Sequence, residues 1–134
     1  MKSIDSIEGI GEAYAKKFRE SGIWSVEGLL ETAADKPTRK RLAEATGISE
    51  KLLLKWVNMA DLFRVRGIGG QYAELLECSG VDTVKELAQR NPESLHSKMA
   101  ATNEEKKVVR QVPGLRIVNS WITEAKTLPR KVDY

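Results

Sequence analysis

Residues 7–33 read IEGIGEAYAKKFRESGIWSVEGLLETA and residues 65–91 read VRGIGGQYAELLECSGVDTVKELAQRN, with Gly9-Ile10-Gly11 falling on Gly67-Ile68-Gly69 at an offset of 67 − 9 = 58 positions. The same register places Tyr14 on Tyr72, Ala15 on Ala73, Ser21-Gly22 on Ser79-Gly80, Val26 on Val84 and Leu29 on Leu87. Glycines and apolar positions recur together, as they do when one supersecondary unit has been duplicated within a chain. Trp56 and Ala60 are echoed by Trp121 and Ala125 at an offset of 121 − 56 = 65, so the second copy carries 65 − 58 = 7 extra residues before its last helix.

Within each copy the spacing is helical. Ala15, Phe18 and Ile23 share a face with charges between them, and Ser21-Gly22 supplies a terminating turn, which predicts a helix over 12–21. Ser25 or a neighbour is expected to cap the next segment, with Leu29, Leu30 and Ala33 inward, and Asp35 before Pro37 to open a third with Leu42 and Ala45 inward. Ser49 follows the Gly47 turn as the expected cap of a longer helix bearing Leu52, Leu53, Trp56, Val57 and Ala60. The second copy predicts helices at about 70–79 and 83–90, a start at Asn91-Pro92, and a further start at Thr102-Asn103-Glu104-Glu105, which has capping-box spacing. No run alternates as a strand does, and Pro129 stops the last helix before an extended tail. The expected fold is therefore all-α. It comprises two consecutive units, residues 1–62 and 63–128, related by a pseudo-two-fold, with 129–134 as a tail.

Composition restricts the function. In 134 residues with 41% hydrophobic and 31% charged side chains, no stretch approaches the roughly 18 apolar residues of a membrane span. The opening MKSIDSIEG lacks the apolar core of a secretory signal, so a cytoplasmic location is expected. The single Cys78 excludes an internal disulfide, and the single His96 has no second histidine with which to share a metal. No acid/base pair, nucleophile–base pair or metal cluster stands out, so neither an enzyme nor a metal site is expected. The net charge of +3 divides as 10 − 9 = +1 over residues 1–60 and 12 − 10 = +2 over 61–134, a weak electrostatic footprint. Binding to a polyanion would need a local patch.

The spacing Ile7-x-Gly9-Ile10-Gly11-x-x-x-Ala15-x-x-Phe18 resembles the helix-hairpin-helix signature, and Val65-x-Gly67-Ile68-Gly69-x-x-x-Ala73-x-x-Leu76 resembles it equally. The turns at Gly47 and Gly114 resemble degenerate copies. Two glycines let the backbone turn sharply and leave its amides uncovered, the central isoleucine plugs the core, and the small alanine lets two helices approach. Amides uncovered beside a helix N-terminus form an anion site. Each half is also similar to the small helical, SAM-like N-terminal domain of archaeal and eukaryotic recombinases, through the glycine hairpin, Ser21-Gly22-Ile23 and Thr46-Gly47-Ile48-Ser49-Glu50. The chain through VPGL and WITEAKTLPRKVDY is similar to an uncharacterised bacterial family of unknown function built on such hairpins.

The resemblance implies contact with backbone phosphates, without base reading, through Gly9, Ile10 and Gly11 and through Gly67, Ile68, Gly69 and Gly70, with Lys16, Lys17 and Arg66 as charge partners. Double-stranded DNA is the expected partner, and no cofactor is called for beyond a monovalent cation that the resemblance allows at a hairpin. Against this stand Glu8 and Glu12 at the first hairpin, and Glu74 and Glu77, which replace Lys16 and Arg19 in the second. The competing expectation is a protein-interaction adaptor that uses the same helices for docking or oligomerisation. Trp24, Trp56 and Trp121 are expected to be core or interface anchors rather than base-stacking platforms.

Overall fold

A computed structural model describes residues 2–134 and is all-helical, with no strand among those residues. After a 3-10 turn at Ile4–Ser6 come α1 (Glu12–Glu20), α2 (Val26–Ala33), α3 (Lys36–Thr46), α4 (Glu50–Leu62), α5 (Gly70–Cys78), α6 (Val84–Ala88), α7 (Pro92–Lys106) and α8 (Leu115–Ala125). The chain divides into two compact units. One comprises the residues up to Asp61 together with Lys131–Tyr134, and the other Leu62–Arg130.

Most helices begin where a side chain satisfies the first free amides. Ser25 Oγ accepts from the Gly28 amide at 2.9 Å, Asp35 Oδ1 from Thr38 at 2.8 Å, Ser49 Oγ from Leu52 at 3.2 Å, Thr83 Oγ1 from Glu86 at 3.4 Å and Asn91 Oδ1 from Ser94 at 3.0 Å. The exceptions are α1, α5 and α8, whose capping positions are Gly11, Gly69 and Gly114 and carry no side-chain cap.

In the first unit, α2 packs on α3 and both α1 and α2 meet the 3-10 turn. The start of the chain is fastened to the α1–α2 turn by Ile4 N–H to Trp24 O at 3.0 Å and Val26 N–H to Lys2 O at 2.9 Å. In the second unit, α8 packs on α6 and α7, and α5 on α7. The registers read from the sequence coincide with burial. Ile7 and Val65, Ile10 and Ile68, Ala15 and Ala73, Phe18 and Leu76, and Trp56 and Trp121 are all buried. The extra residues of the second half lie in α7, which has 15 residues against 11 in α3, and in the loop between α7 and α8.

Two local expectations are corrected. The capping-box spacing at 102–105 does not start a helix, because α7 continues through it. Thr102 shares the buried face of Leu95 and Met99, and the Asn103 side chain instead closes the next loop, accepting from Val109 N–H at 2.9 Å and donating to Val109 O at 3.0 Å. Second, α3 turns Arg39 and Leu42 inward, while Ala45 is exposed. Arg39 is 3% exposed and its guanidinium donates to Ala33 O, Ala34 O and Asp133 O, so it closes the C-terminal end of α2 and holds the tail. The tail carries no regular structure and is anchored, with Val132 buried and Asp133 N–H donating to Ala34 O at 2.9 Å.

Candidate functional site

The two glycine turns have the same backbone. Gly9 has φ +97° and Gly67 φ +91°, a left-handed region that a side chain disfavours. Each is followed by an isoleucine pushed into the core, Ile10 and Ile68, and then by an extended glycine, Gly11 at φ −86°, ψ −169° or Gly69 at φ −104°, ψ −167°, from which the helix starts. The turn is closed by Ile10 N–H to Ile7 O at 3.1 Å in one unit and Ile68 N–H to Val65 O at 3.2 Å in the other.

Beneath each left-handed glycine lies a tryptophan edge. A Cβ on Gly9 would stand 3.1 Å from Trp56 Nε1, and one on Gly67 3.3 Å from Trp121 Nε1. These glycines are therefore required both by dihedral angle and by contact. Trp56 is held edge-on by Tyr14 (4.8 Å between ring centroids) and Phe18 (5.9 Å), and Trp121 is held by Tyr72 (5.4 Å). Both indoles belong to the core and support the turns from below. Gly11 and Gly69 have nothing within 4 Å of a would-be Cβ and face open space.

Lacking side-chain caps, the first amides of α1 (Glu12, Ala13, Tyr14) and of α5 (Gly70, Gln71, Tyr72) form donor clusters at the positive ends of helix dipoles. At the first turn, Lys16 and Lys17 are exposed, with Lys17 Nζ 6.0 Å from the Tyr14 ring. Glu12 faces Arg19 at 3.4 Å, and Glu8 is exposed. Arg19 also lies 5.8 Å over the ring of Trp24, which is 65% exposed rather than a core anchor.

At the second turn Arg66 is exposed, and its backbone N–H is engaged by both oxygens of Glu124, at 3.2 and 3.3 Å. A carboxylate thus already sits on one amide of the second turn. In the 65-residue register Glu124 stands where the first copy has Met59, so the first turn has no equivalent. Cys78, Glu74 and Glu77 lie at the other end of α5 with their ligand atoms within 4.8 Å of one another. All three come from consecutive turns of a single half-exposed helix.

The family model described as "Domain of unknown function (DUF4332)" matches residues 8–128. The chain belongs to that family. The match covers both glycine turns and all eight α-helices, and leaves out only the first residues and the tail. No curated protein and no solved structure gives a significant match. No helix among the described residues is long and apolar enough to cross a membrane.

Sequence reasoning missed two participants. Glu124 is brought to Arg66 from 58 positions away and has no motif of its own. Gly114, read only as part of a degenerate turn, is a third uncapped helix start. The signal for it was available, since the 65-residue register aligns Gly114 with Ser49, which does cap its helix.

Proposed function

We propose that each unit is a helix-hairpin-helix element and that the chain is a non-enzymatic module that grips nucleic acid, double-stranded DNA in the first instance, through backbone phosphates and without reading bases. The observation that carries this reading is the pairing of a left-handed glycine with an uncapped glycine helix start at both 9–11 and 67–69. Five other helices of the same chain satisfy their first amides with their own side chains. The two turns leave theirs to an external acceptor, and a phosphate is the anion that suits such donors. The first turn is the stronger of the two, with Lys16 and Lys17 on its flank and Glu12 directed to Arg19. The second offers Arg66 and Gly70, but one of its amides is taken by Glu124.

A second reading, a protein-interaction adaptor, is favoured by one observation, the 65% exposure of Trp24. Fluorescence anisotropy with labelled duplex DNA, single-stranded DNA and RNA at two salt concentrations separates the two. Phosphate contacts give an affinity that falls steeply with salt. Absent or salt-insensitive binding, together with a defined oligomer by light scattering, selects the adaptor.

A further inference from the structure

We infer that the second unit holds a separate site for a nucleoside monophosphate, in the cavity between the 65–69 turn and the start of α8. The cavity measures about 460 Å³ and is bounded by Arg66, Gly67, Tyr72, Pro113, Gly114 and Trp121 among others. That volume lies in the range of small-ligand sites. It uses the α8 helix start rather than those of α1 and α5 but shares Arg66 with the second turn, so Gly114→Ser and not Arg66→Gln separates it from the phosphate contacts invoked above.

The wall is rich in donors. The first amides of α8 have no side-chain cap at Gly114. Trp121 is 2% exposed, and its indole N–H has no acceptor among the described residues, although it sits directly under Gly67 on the cavity wall. The nitrogen itself is accessible at the cavity wall, where a ligand acceptor can reach it. Arg66 adds a guanidinium to the same wall, while its backbone N–H is already occupied by Glu124. Donors without a facing carboxylate on the wall select an anion. Of the remaining surface, Tyr72, Pro113 and half-exposed Ile117 offer apolar contact for a base and sugar attached to a phosphate, beside the polar Gln111 and Ser120.

The first unit provides an internal control. In the 65-residue register Ser49 stands in place of Gly114, and its Oγ accepts the Leu52 amide, so that helix satisfies itself. Where the second copy has glycine, the corresponding donors are open. Gly114 lies at φ −66°, ψ 164° with nothing within 4 Å of a Cβ, so its glycine is not demanded by the backbone.

The test is a 15N–1H correlation titration of the whole chain with AMP, adenosine, inorganic phosphate, and tetranucleotides with and without a 5′-phosphate. AMP is expected to shift the Trp121 indole N–H and the amides of Leu115 and Arg116, with adenosine at least tenfold weaker. Gly114→Ser is expected to abolish the shifts while the thermal midpoint holds or rises, and Arg66→Gln to weaken binding about tenfold. Tighter binding of the 5′-phosphorylated tetranucleotide than of AMP assigns the site to strand ends, and equal binding assigns it to free nucleotide. Equal shifts from adenosine and AMP, unchanged binding by folded Gly114→Ser, or no shift at Trp121 overturns the proposal.

Discussion

Replacing Gly11 with Asp is expected to stabilise the protein while weakening its grip on DNA. At φ −86°, ψ −169° the position is ordinary extended backbone, and a Cβ there meets nothing within 4 Å, so the substitution introduces neither strain nor a clash. The new carboxylate would accept from the Tyr14 amide, as Asp35 accepts from Thr38 at 2.8 Å. Aspartate is a better cap than glycine by a few tenths of a kcal/mol, and its charge at the helix start adds about 0.3–1 kcal/mol, for a total near 1 kcal/mol. That is a rise of about 3–5 °C in thermal midpoint for a chain of this size. The same carboxylate occupies the donors assigned to phosphate and repels it, so the dissociation constant for a duplex should rise about tenfold, or about 1.4 kcal/mol. Gly69→Asp should behave likewise with a smaller binding loss, since Glu124 already takes one amide of that turn. Calorimetric melting and anisotropy on the same preparations provide the two readouts. A stabilised variant that binds DNA as well as the parent refutes the assignment of phosphate to these amides. By contrast Gly9→Ala, at φ +97° and 3.1 Å from the Trp56 indole, should lose about 1–3 kcal/mol of stability, so a loss of binding there is not diagnostic.

Other consequences follow from single residues. Glu124→Gln removes the carboxylate charge on the Arg66 amide and should raise duplex affinity several-fold at low salt, with the gain disappearing as salt is added; anisotropy reads both. Arg39→Met leaves Ala33 O, Ala34 O and Asp133 O without their shared donor and should cost about 2–4 kcal/mol in urea denaturation, while deleting 131–134 should cost less because two of the three acceptors remain. Asp82 has its pKa raised by desolvation and by the neighbouring Glu86. The folded state therefore holds that proton more tightly than the unfolded chain, and stability falls as pH rises from 3.8 through the raised value. Asp82→Asn should accordingly raise the midpoint at pH 7 and have no such effect below the unfolded-state pKa.

Local geometry was legible in the sequence wherever a residue type has one strong physical reason to be present. Glycine at positive φ marked Gly9, Gly22, Gly47 and Gly67, and short polar side chains before apolar runs marked the caps at Ser25, Asp35, Ser49 and Asn91. The repeat register carried the core, including the tryptophan beneath each turn. Partners brought together by tertiary packing were not legible. Thr102-Asn103-Glu104-Glu105 fits a capping box, yet burial of Thr102 keeps the helix intact and Asn103 serves a loop six residues on. Arg39 belongs to no sequence motif, and only the fold shows that three carbonyls converge on it. Glu124 matters through what it faces, which no local pattern encodes, whereas Gly114 is marked only by the repeat register that sets it against the capping Ser49.

The central claim is that the amides opening α1 and α5 contact phosphate. Mapping amide shifts as a short duplex is added to the labelled protein at about 50 mM salt, and then raising salt to about 200 mM, tests it most directly. The account predicts that the largest shifts fall on Glu12, Ala13 and Tyr14 and on Gly70, Gln71 and Tyr72, and that they collapse at the higher salt. Shifts centred on Trp24, or persisting unchanged at the higher salt, contradict it.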